Sequence, residues 1–209
     1  MIRVLIVDDH PVVRGGLKGI LTGESDFEVW EAGNANEALA MIDKKDFNLV
    51  VLDLDLPGKG GLEVLAHVKG DHPALPVLIL SVYPEEQFAL RTLKAGASGF
   101  LSKNAAPEDL VDAIRKILRR GKYISEATAE KLLHQVKAKP GHLSHESLSE
   151  REFQILCLLG EGKTVSDIAE ELSLSVSTVS TYRARVLEKM GMKTTAELMH
   201  YVIRNRLVN

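Results

Sequence analysis

The 209-residue chain is poor in cysteine and has no long apolar run. Cys157 is its only cysteine, which excludes a disulfide within the chain and is typical of proteins in a reducing compartment. No apolar run reaches the roughly 18 residues that a membrane-spanning helix needs. Residues 2–7 form a β-type run directly at the start, without the pattern of a secretory signal. We therefore expect a cytoplasmic protein with no membrane partner.

Net charge is also small, at −3, but it is unevenly distributed. Residues 1–120 hold 14 Lys and Arg against 18 Asp and Glu, whereas residues 175–209 hold 6 against 2. An acidic front and a basic tail indicate different partners for the two ends, and a polyanion is a candidate partner for the tail. The length is sufficient for two small domains.

Strand-like runs alternate with helix-like stretches over the first 120 residues. The runs lie at residues 2–7, 27–32, 48–53, 76–81 and 98–102. Short strands separated by helical patterns of 10–15 residues predict repeated βαβ units on a parallel sheet. The sequence therefore predicts an α/β domain, a doubly wound five-stranded parallel sheet, over residues 1–121.

Polar side chains follow four of the five predicted strands. Asp8 and Asp9 follow the first strand, Asp53 ends the third, Ser81 ends the fourth, and Lys103 follows the fifth. Ligands of this fold class bind outside the carboxyl ends of the strands, so these side chains are expected at one edge. Three carboxylates in a small volume repel one another unless a cation joins them. Oxygen-only ligands predict Mg²⁺.

The stretch "VVLDLDLPG", residues 50–58, contains two aspartates that the residues alone do not distinguish. Asp53 and Asp55 are each compatible with a metal ligand, a nucleophile or a solvated charge.

The motifs "VDDH" (7–10), "LDLDLPGKGG" (52–61), "LILS" (78–81) and "AGASGFLSK" (95–103) resemble those of a response-regulator receiver domain with a flavodoxin-like fold. The resemblance implies that Asp53 accepts a phosphoryl group, while Ser81 and Lys103 contact its oxygens. Phe100 matches the aromatic residue that moves when the domain switches. The implied Mg²⁺ ligands are the side chains of Asp8, Asp9 and Asp53 and the backbone carbonyl of Asp55.

The second half of the chain predicts a linker and a small helical domain. Residues 122–147 are assigned to a linker with a helix over 125–136, and Pro140-Gly141 places the boundary near 138–147. Residues 148–209 predict four helices. Ser149 and Glu152 form a capping box at the first, and the others cover 165–171, 176–190 and 195–206. Two short helices around a tight turn, the second of them basic, predict a helix-turn-helix.

The stretches "LSEREFQIL", "GKTVSDIAEELSLSVSTV" and "KMGMKTTAEL" resemble the LuxR-type helix-turn-helix of NarL/FixJ-class regulators. That family commonly carries lysine at position 180 and histidine at position 182, where this chain has Ser180 and Tyr182. The family's DNA-sequence preference is therefore not carried over. Thr181 and Ala184 are predicted to meet base edges or thymine methyls. The other predicted DNA contacts are Ser177, Thr178, Ser180, Tyr182, Arg185 and Lys189.

Together these features predict a DNA-binding transcriptional response regulator of a two-component system, switched by Mg²⁺-dependent phosphorylation of Asp53. The expected partners are a sensor histidine kinase, double-stranded DNA with paired half-sites, and a second copy of the chain joined through the helix 195–206. Such a protein accepts a phosphoryl group and is not a turnover enzyme. Two alternatives remain at this point: a DNA-binding regulator independent of phosphorylation, and an aspartate-based phosphatase that uses the D-x-D pattern of Asp53 and Asp55.

Overall fold

The computed structural model of the chain describes residues 1–57, 60–83, 85–124, 144–205 and 207–208. The chain divides into two compact units, Met1–Ala138 and Lys139–Asn209. The predicted helix over 125–136 and most of the predicted linker lie outside the described residues, so the domain boundaries at 121 and 147 stay predictions.

The first unit confirms the predicted alternation of strands and helices. Its strands are β1 (Ile2–Val7), β2 (Phe27–Ala32), β3 (Leu49–Leu52), β4 (Val77–Ser81) and β5 (Gly99–Ser102). Its helices are α1 (Pro11–Thr22), α2 (Ala35–Ile42), α3 (Gly61–Asp71), α4 (Glu85–Lys94) and α5 (Pro107–Arg120). Three strands are slightly shorter than predicted, and β3 ends one residue before Asp53.

The five strands form one parallel sheet in the order β2-β1-β3-β4-β5. This is the doubly wound topology that the sequence predicts. Strands β3 and β4 are buried along their whole length, and β1 is buried over its last four residues. Such continuous apolar runs form because helices cover both faces of a parallel sheet.

The order of the strands determines where a ligand can bind. The chain proceeds from β1 to β2 on one side and then returns to β3 on the other side of β1. The crevice at such a reversal lies between the carboxyl ends of β1 and β3. Asp8 follows β1 directly and Asp53 follows β3 directly, so the fold places both carboxylates at this crevice.

Within residues 144–205, the second unit contains helices and no strand, as predicted. A 3₁₀ turn (Ser144–Ser147) is followed by four helices: α6 (Glu150–Gly160), α7 (Val165–Glu171), α8 (Val176–Lys189) and α9 (Thr195–Arg204). The predicted capping box is present at the start of α6, where the Ser149 side chain accepts a hydrogen bond from the Glu152 N–H. Ser175 caps α8 in the same way through the Thr178 N–H. These caps satisfy backbone donors that have no partner within the helix.

Apolar side chains from all four helices form the core of this unit. Phe153, Ile168, Val179, Val186 and Val202 are buried. Helices α6 and α9 approach closely at Gly160, where a Cβ would overlap the Val202 side chain. Among the residues that the structure describes, no helix combines the length and apolar character needed to cross a membrane.

Candidate functional site

Three carboxylates and a histidine meet at the carboxyl edge of the sheet. Asp8 is held by its N–H, which donates to the Ala32 carbonyl at 3.2 Å, and the Asp53 N–H donates to the Val7 carbonyl at 2.9 Å. One potential ligand atom from each of Asp8, Asp9, His10 and Asp53 lies within 4.8 Å of the others. The register of two neighbouring strands thus brings together residues that are 45 positions apart in the chain.

Lys103 supplies a positive charge between two of these carboxylates. Its Nζ lies 2.6 Å from Asp8 Oδ2 and 2.7 Å from Asp53 Oδ2. Both aspartate side chains are only 2% exposed, and the Lys103 side chain is 12% exposed. One ammonium therefore faces two buried carboxylates, with Asp9 a third at the rim, and the site retains an excess of negative charge.

Burial determines the protonation behaviour of this group. Desolvation raises the pKa of Asp53 above its usual value and the charge of Asp8 adds to this, although Lys103 and the Asp55 backbone N–H act in the opposite direction. Burial alone lowers the pKa of Lys103, but its contacts with Asp53 and Asp8 outweigh burial and raise that pKa. Lys103 is consequently a stable cation at neutral pH.

One oxygen of Asp53 has no hydrogen-bond partner among the residues that the structure describes. Its Oδ1 is buried and accepts no hydrogen bond from the described residues, whereas its Oδ2 accepts from Lys103. A buried carboxylate oxygen without a partner is costly, so it is a position where a cation or a reacting group gains free energy. Carboxylate oxygens are the ligands that Mg²⁺ prefers, and the residues present therefore fit this ion.

The other predicted residues of this edge have different surroundings. Ser81 ends β4, is fully buried, and its Oγ accepts a hydrogen bond from the Tyr83 N–H at 3.2 Å. Phe100 lies within β5 and is 2% exposed, so it is a core residue in this state and its switching role stays a prediction. The sequence did not indicate that His10 Nδ1 lies 2.7 Å from Asp9 Oδ1.

In the second unit, α8 follows a tight turn and presents one face of its first two turns to solvent. Ser177, Thr181, Ala184 and Arg185 are exposed, while Thr178, Ser180 and Tyr182 are half-buried. The guanidinium carbon of Arg185 lies 5.8 Å from the centre of the Tyr182 ring. The pair of helices α7 and α8 has the arrangement of a helix-turn-helix, with α8 as its second helix.

Known families match both units. Residues 4–115 match the family described as response regulator receiver domain, and residues 146–202 match bacterial regulatory proteins of the luxR family. The chain is a response regulator of the NarL/FixJ class. Its second unit is a LuxR-type DNA-binding domain, which makes it a transcription regulator of a two-component system.

The similarity to other response regulators extends over the full chain. "Response regulator UvrY" of Escherichia coli is 36% identical over 211 residues, which cover 100% of this chain and 97% of the relative. "Response regulator GacA" of Pseudomonas protegens is 35% identical over 210 residues, with 100% and 99% covered.

Solved response regulators have similar structures. RcsB from Salmonella enterica serovar Typhimurium, bound to promoter rprA in the presence of phosphomimetic BeF3-, has a TM-score of 0.59 at 26% identity over 97% of this chain and 98% of that chain. Response regulator ChrA of a heme-sensing two-component system has a TM-score of 0.51 at 32% identity, with 99% and 98% covered.

One predicted DNA contact of this response regulator has an internal partner. Lys189 Nζ lies 2.7 Å from Glu152 Oε2, and the same oxygen accepts a hydrogen bond from the Ser149 N–H at 2.8 Å. Glu152 is 3% exposed. Burial raises the pKa of Glu152, but Lys189 and Ser149 outweigh it and hold the pKa below 4.5. Lys189 is thus paired with a buried carboxylate in this structure. Its role as a phosphate contact stays a prediction.

Glu152 connects the start of α6 to the end of α8, which the sequence did not reveal. We expect Glu152→Ala to lower the free energy of unfolding of the second unit by about 2 kcal/mol, because Ser149 N–H and Lys189 both lose their partner. Hydrogen exchange of the full chain measures this loss, because the slowly exchanging amides of α6 and α8 should exchange faster in the variant. Because the folded-state pKa of Glu152 is lowered, its contribution is present above pH 4.5 and disappears as the pH falls through that lowered pKa.

The matched control is Glu188→Ala, which removes an exposed carboxylate from α8. We expect this variant to change stability by less than about 0.5 kcal/mol. Equal protection in Glu152→Ala and Glu188→Ala would show that the contacts of Glu152 with Lys189 and Ser149 contribute nothing to stability.

Proposed function

We propose that Mg²⁺-dependent phosphorylation of Asp53 switches this response regulator into a state that dimerises and binds paired DNA half-sites. The observation that carries the proposal is the buried Oδ1 of Asp53, which accepts no hydrogen bond from the described part of the chain, while Lys103 contacts the other oxygen of Asp53. A nucleophilic oxygen and a neutralising ammonium are two of the groups that phosphoryl transfer to a carboxylate needs, in addition to Mg²⁺.

The roles of the chain's own residues follow from their positions. Asp53 Oδ1 attacks the phosphorus atom, a new O–P bond forms, and the bond from phosphorus to the leaving group of the donor breaks. Lys103 neutralises charge that gathers on the phosphoryl oxygens, and the Ser81 hydroxyl donates to one of them. Asp8, Asp9, Asp53 and the Asp55 backbone carbonyl would hold Mg²⁺, which supplies further charge neutralisation.

The donor in the cell is proposed to be a sensor histidine kinase, because the chain belongs to a two-component family. The product adds about −1.5 to −2 charge to an already acidic crevice. That charge attracts Ser81 and Lys103. It thereby changes which conformations of the nearby segments are populated, including those of β5, which carries Phe100.

Binding to DNA is proposed to need two copies of the chain. One helix-turn-helix makes few contacts, and dimers place two such helices about 34–36 Å apart on successive turns of the duplex. A solved relative supports this, since its structure contains two RcsB dimers bound to two parallel DNAs. Helix α9 is a candidate dimer surface because Ile203 is 65% exposed on it, while its other face is buried in the core through Leu198 and Val202.

Replacing Ile203 by glutamate tests this surface. We expect Ile203→Glu to weaken cooperative binding to a duplex with two half-sites at least tenfold while binding to one half-site stays unchanged, because two like charges then meet across the dimer contact. Fluorescence anisotropy with both duplexes measures the two affinities. Unchanged cooperativity would exclude α9 as the contact. This variant is preferable to removing α9, since removal also deletes buried Leu198 and Val202.

The decisive test of the switch compares DNA affinity before and after treatment with a small phosphodonor and Mg²⁺. We expect phosphorylation to raise the affinity of the wild-type protein for a two-half-site duplex by about tenfold or more, which corresponds to about 1.4 kcal/mol of bias between the two states. Asp53→Asn serves as the control and should show no increase. Equal affinity of the treated and untreated wild type would favour the phosphorylation-independent regulator.

A further inference from the structure

His10 brings an imidazole ring to the carboxylates of Asp8 and Asp9. Its Nδ1 lies 2.7 Å from Asp9 Oδ1 and 3.4 Å from Asp8 Oδ1. The backbone N–H of His10 donates to Asp8 Oδ1 at 2.8 Å, and this bond holds the start of α1 at the site. The His10 side chain is 64% exposed. A ring nitrogen therefore approaches the carboxylates from the solvent side of the site.

The contact between His10 and Asp9 is close without being a hydrogen bond. Asp9 Oδ1 is buried and accepts no hydrogen bond from the described residues, although His10 Nδ1 is only 2.7 Å away. Asp53 Oδ1 is in the same condition, and the Asp53 side chain is 2% exposed. Two buried carboxylate oxygens of one cluster thus have no hydrogen-bond donor in the described part of the chain. Each of them gains free energy when a cation binds beside it.

The distances within this cluster match those between the ligands of one metal ion. Nitrogen and oxygen ligands that bind Zn²⁺ at about 2.0–2.2 Å lie about 3.0–3.4 Å from their neighbours on the ion. His10 Nδ1 is 2.7 Å from Asp9 Oδ1 and 3.4 Å from Asp8 Oδ1, and one atom from each of the four residues lies within 4.8 Å of the others. A small movement of the exposed ring is enough to place its nitrogen on a shared ion.

The other histidines that contact a carboxylate do not have such surroundings. His67 Nε2 lies 3.1 Å from Asp71 Oδ2, and His72 Nε2 lies 3.3 Å from Asp43 Oδ1. Both aspartates are 61% exposed, so water already solvates these pairs. Across the described ranges, the cluster that contains His10 is the one place where three or more metal-ligating side chains converge.

From these contacts we infer that His10 Nδ1 is a further metal ligand of this site, beside the oxygens of Asp9 and Asp53, and that it raises the affinity of the site for Zn²⁺ and similar transition ions relative to Mg²⁺. Imidazole nitrogen suits Zn²⁺, Cu²⁺ and Ni²⁺, whereas Mg²⁺ takes oxygen ligands and gives up its water reluctantly. The inference rests on the proposed metal site. It adds one ligand to that site and names the class of ion that the ligand favours.

Calorimetric titration of the full-length protein with Zn²⁺, and separately with Mg²⁺, tests the role of His10. We expect His10→Gln to weaken Zn²⁺ binding at this site much more than Mg²⁺ binding, so that the ratio of the two affinities falls at least about tenfold. The binding that is lost in Asp53→Asn identifies the site. The His10 side chain makes no capping hydrogen bond to α1, so its replacement leaves the start of the helix intact.

The matched control is His67→Gln, which removes an exposed histidine that also contacts an aspartate. We expect this variant to keep the wild-type ratio of Zn²⁺ to Mg²⁺ affinity.

Nuclear magnetic resonance of protein labelled with ¹⁵N in its histidines identifies the ligand atom directly. The first equivalent of Zn²⁺ should shift the Nδ1 resonance of His10 before the resonances of the other histidines. The His10 signal is assigned by its absence from His10→Gln. Because this readout follows the ring nitrogen itself, an indirect structural effect of the substitution would not reproduce it.

The outcomes separate the inference from the proposal on which it rests. If Asp53→Asn binds both ions like the wild type, the proposed metal site fails and the inference fails with it. If Asp53→Asn loses binding but His10→Gln keeps the wild-type ratio of affinities, the inference alone is overturned. A first shift at another histidine would overturn it as well.

Discussion

Asp53→Asn is expected to abolish phosphorylation of this response regulator completely, while Asp55→Asn leaves it in place. Asp53 offers a buried Oδ1 that has no hydrogen-bond partner in the described ranges, and an amide at this position is not a nucleophile toward phosphorus. Intact-mass measurement after incubation with a small phosphodonor and Mg²⁺ reads the result directly. The wild type and Asp55→Asn should gain the mass of one phosphoryl group, and Asp53→Asn should gain none.

The cation and Lys103 can be tested in the same experiment. Chelation of Mg²⁺ should stop labelling of the wild type, because the excess negative charge of Asp8, Asp9 and Asp53 then repels the incoming phosphoryl group. Lys103→Ala should slow labelling by at least about a hundredfold, since removing one electrostatic partner of the transition state typically costs that much. Labelling of Asp53→Asn at the wild-type rate would place the acceptor elsewhere and refute the proposed site.

Gly61→Ala is expected to have the second-largest effect, although Gly61 is not a site residue. Gly61 begins α3, its N–H donates to the Leu54 carbonyl at 2.9 Å, and a Cβ there would overlap the Asp53 carbonyl oxygen and lie 2.6 Å from Leu54 Cα. These neighbours are backbone atoms and cannot rotate away. We expect a loss of about 3 kcal/mol in the free energy of unfolding, and slower labelling because Asp53 is displaced.

The control for this variant lies in the same helix. Gly70 is near the end of α3, and a Cβ there would meet no atom within 4 Å. Gly70→Ala should stabilise the first unit by up to about 1 kcal/mol, the difference in helix propensity between the two residues. Urea unfolding measures both variants. Similar stability of Gly61→Ala and the wild type would show that the approach of α3 to the Asp53 backbone is not restrictive.

The strands of the first unit can be predicted from the sequence. The apolar runs of β1, β3 and β4 are buried on both faces, and this burial is what makes a parallel strand recognisable in a sequence. The sequence predicts Asp53 at a strand end, and β3 ends directly before it. The capping box of Ser149 and Glu152 can likewise be predicted from the sequence, because a cap involves residues only three positions apart.

Contacts between distant residues could not be predicted in the same way. The sequence placed Glu152 in a local cap, but its pairing with Lys189 depends on how α6 packs against α8. The sequence also predicts that Lys189 contacts a DNA phosphate. A lysine on an exposed helix face has the same sequence pattern whether or not it pairs with a residue of another helix, so the pairing with Glu152 could not be predicted. The internal hydrogen bonds of Ser175, Ser177 and Thr181 also depend on side-chain conformations that residue spacing does not define.

The sequence by itself determined the two-unit plan, the parallel α/β architecture, the helix-turn-helix, and the carboxylates and lysine that meet at the sheet edge. These follow from local periodicity and from the rule that parallel strands end at one edge, both of which operate over short stretches of chain. Only the tertiary structure decided which oxygen of Asp53 Lys103 contacts, that Lys103 bridges Asp8 and Asp53, and that Gly61 must lack a Cβ. These features depend on distances of a few ångströms between segments far apart in the chain, and only packing sets such distances.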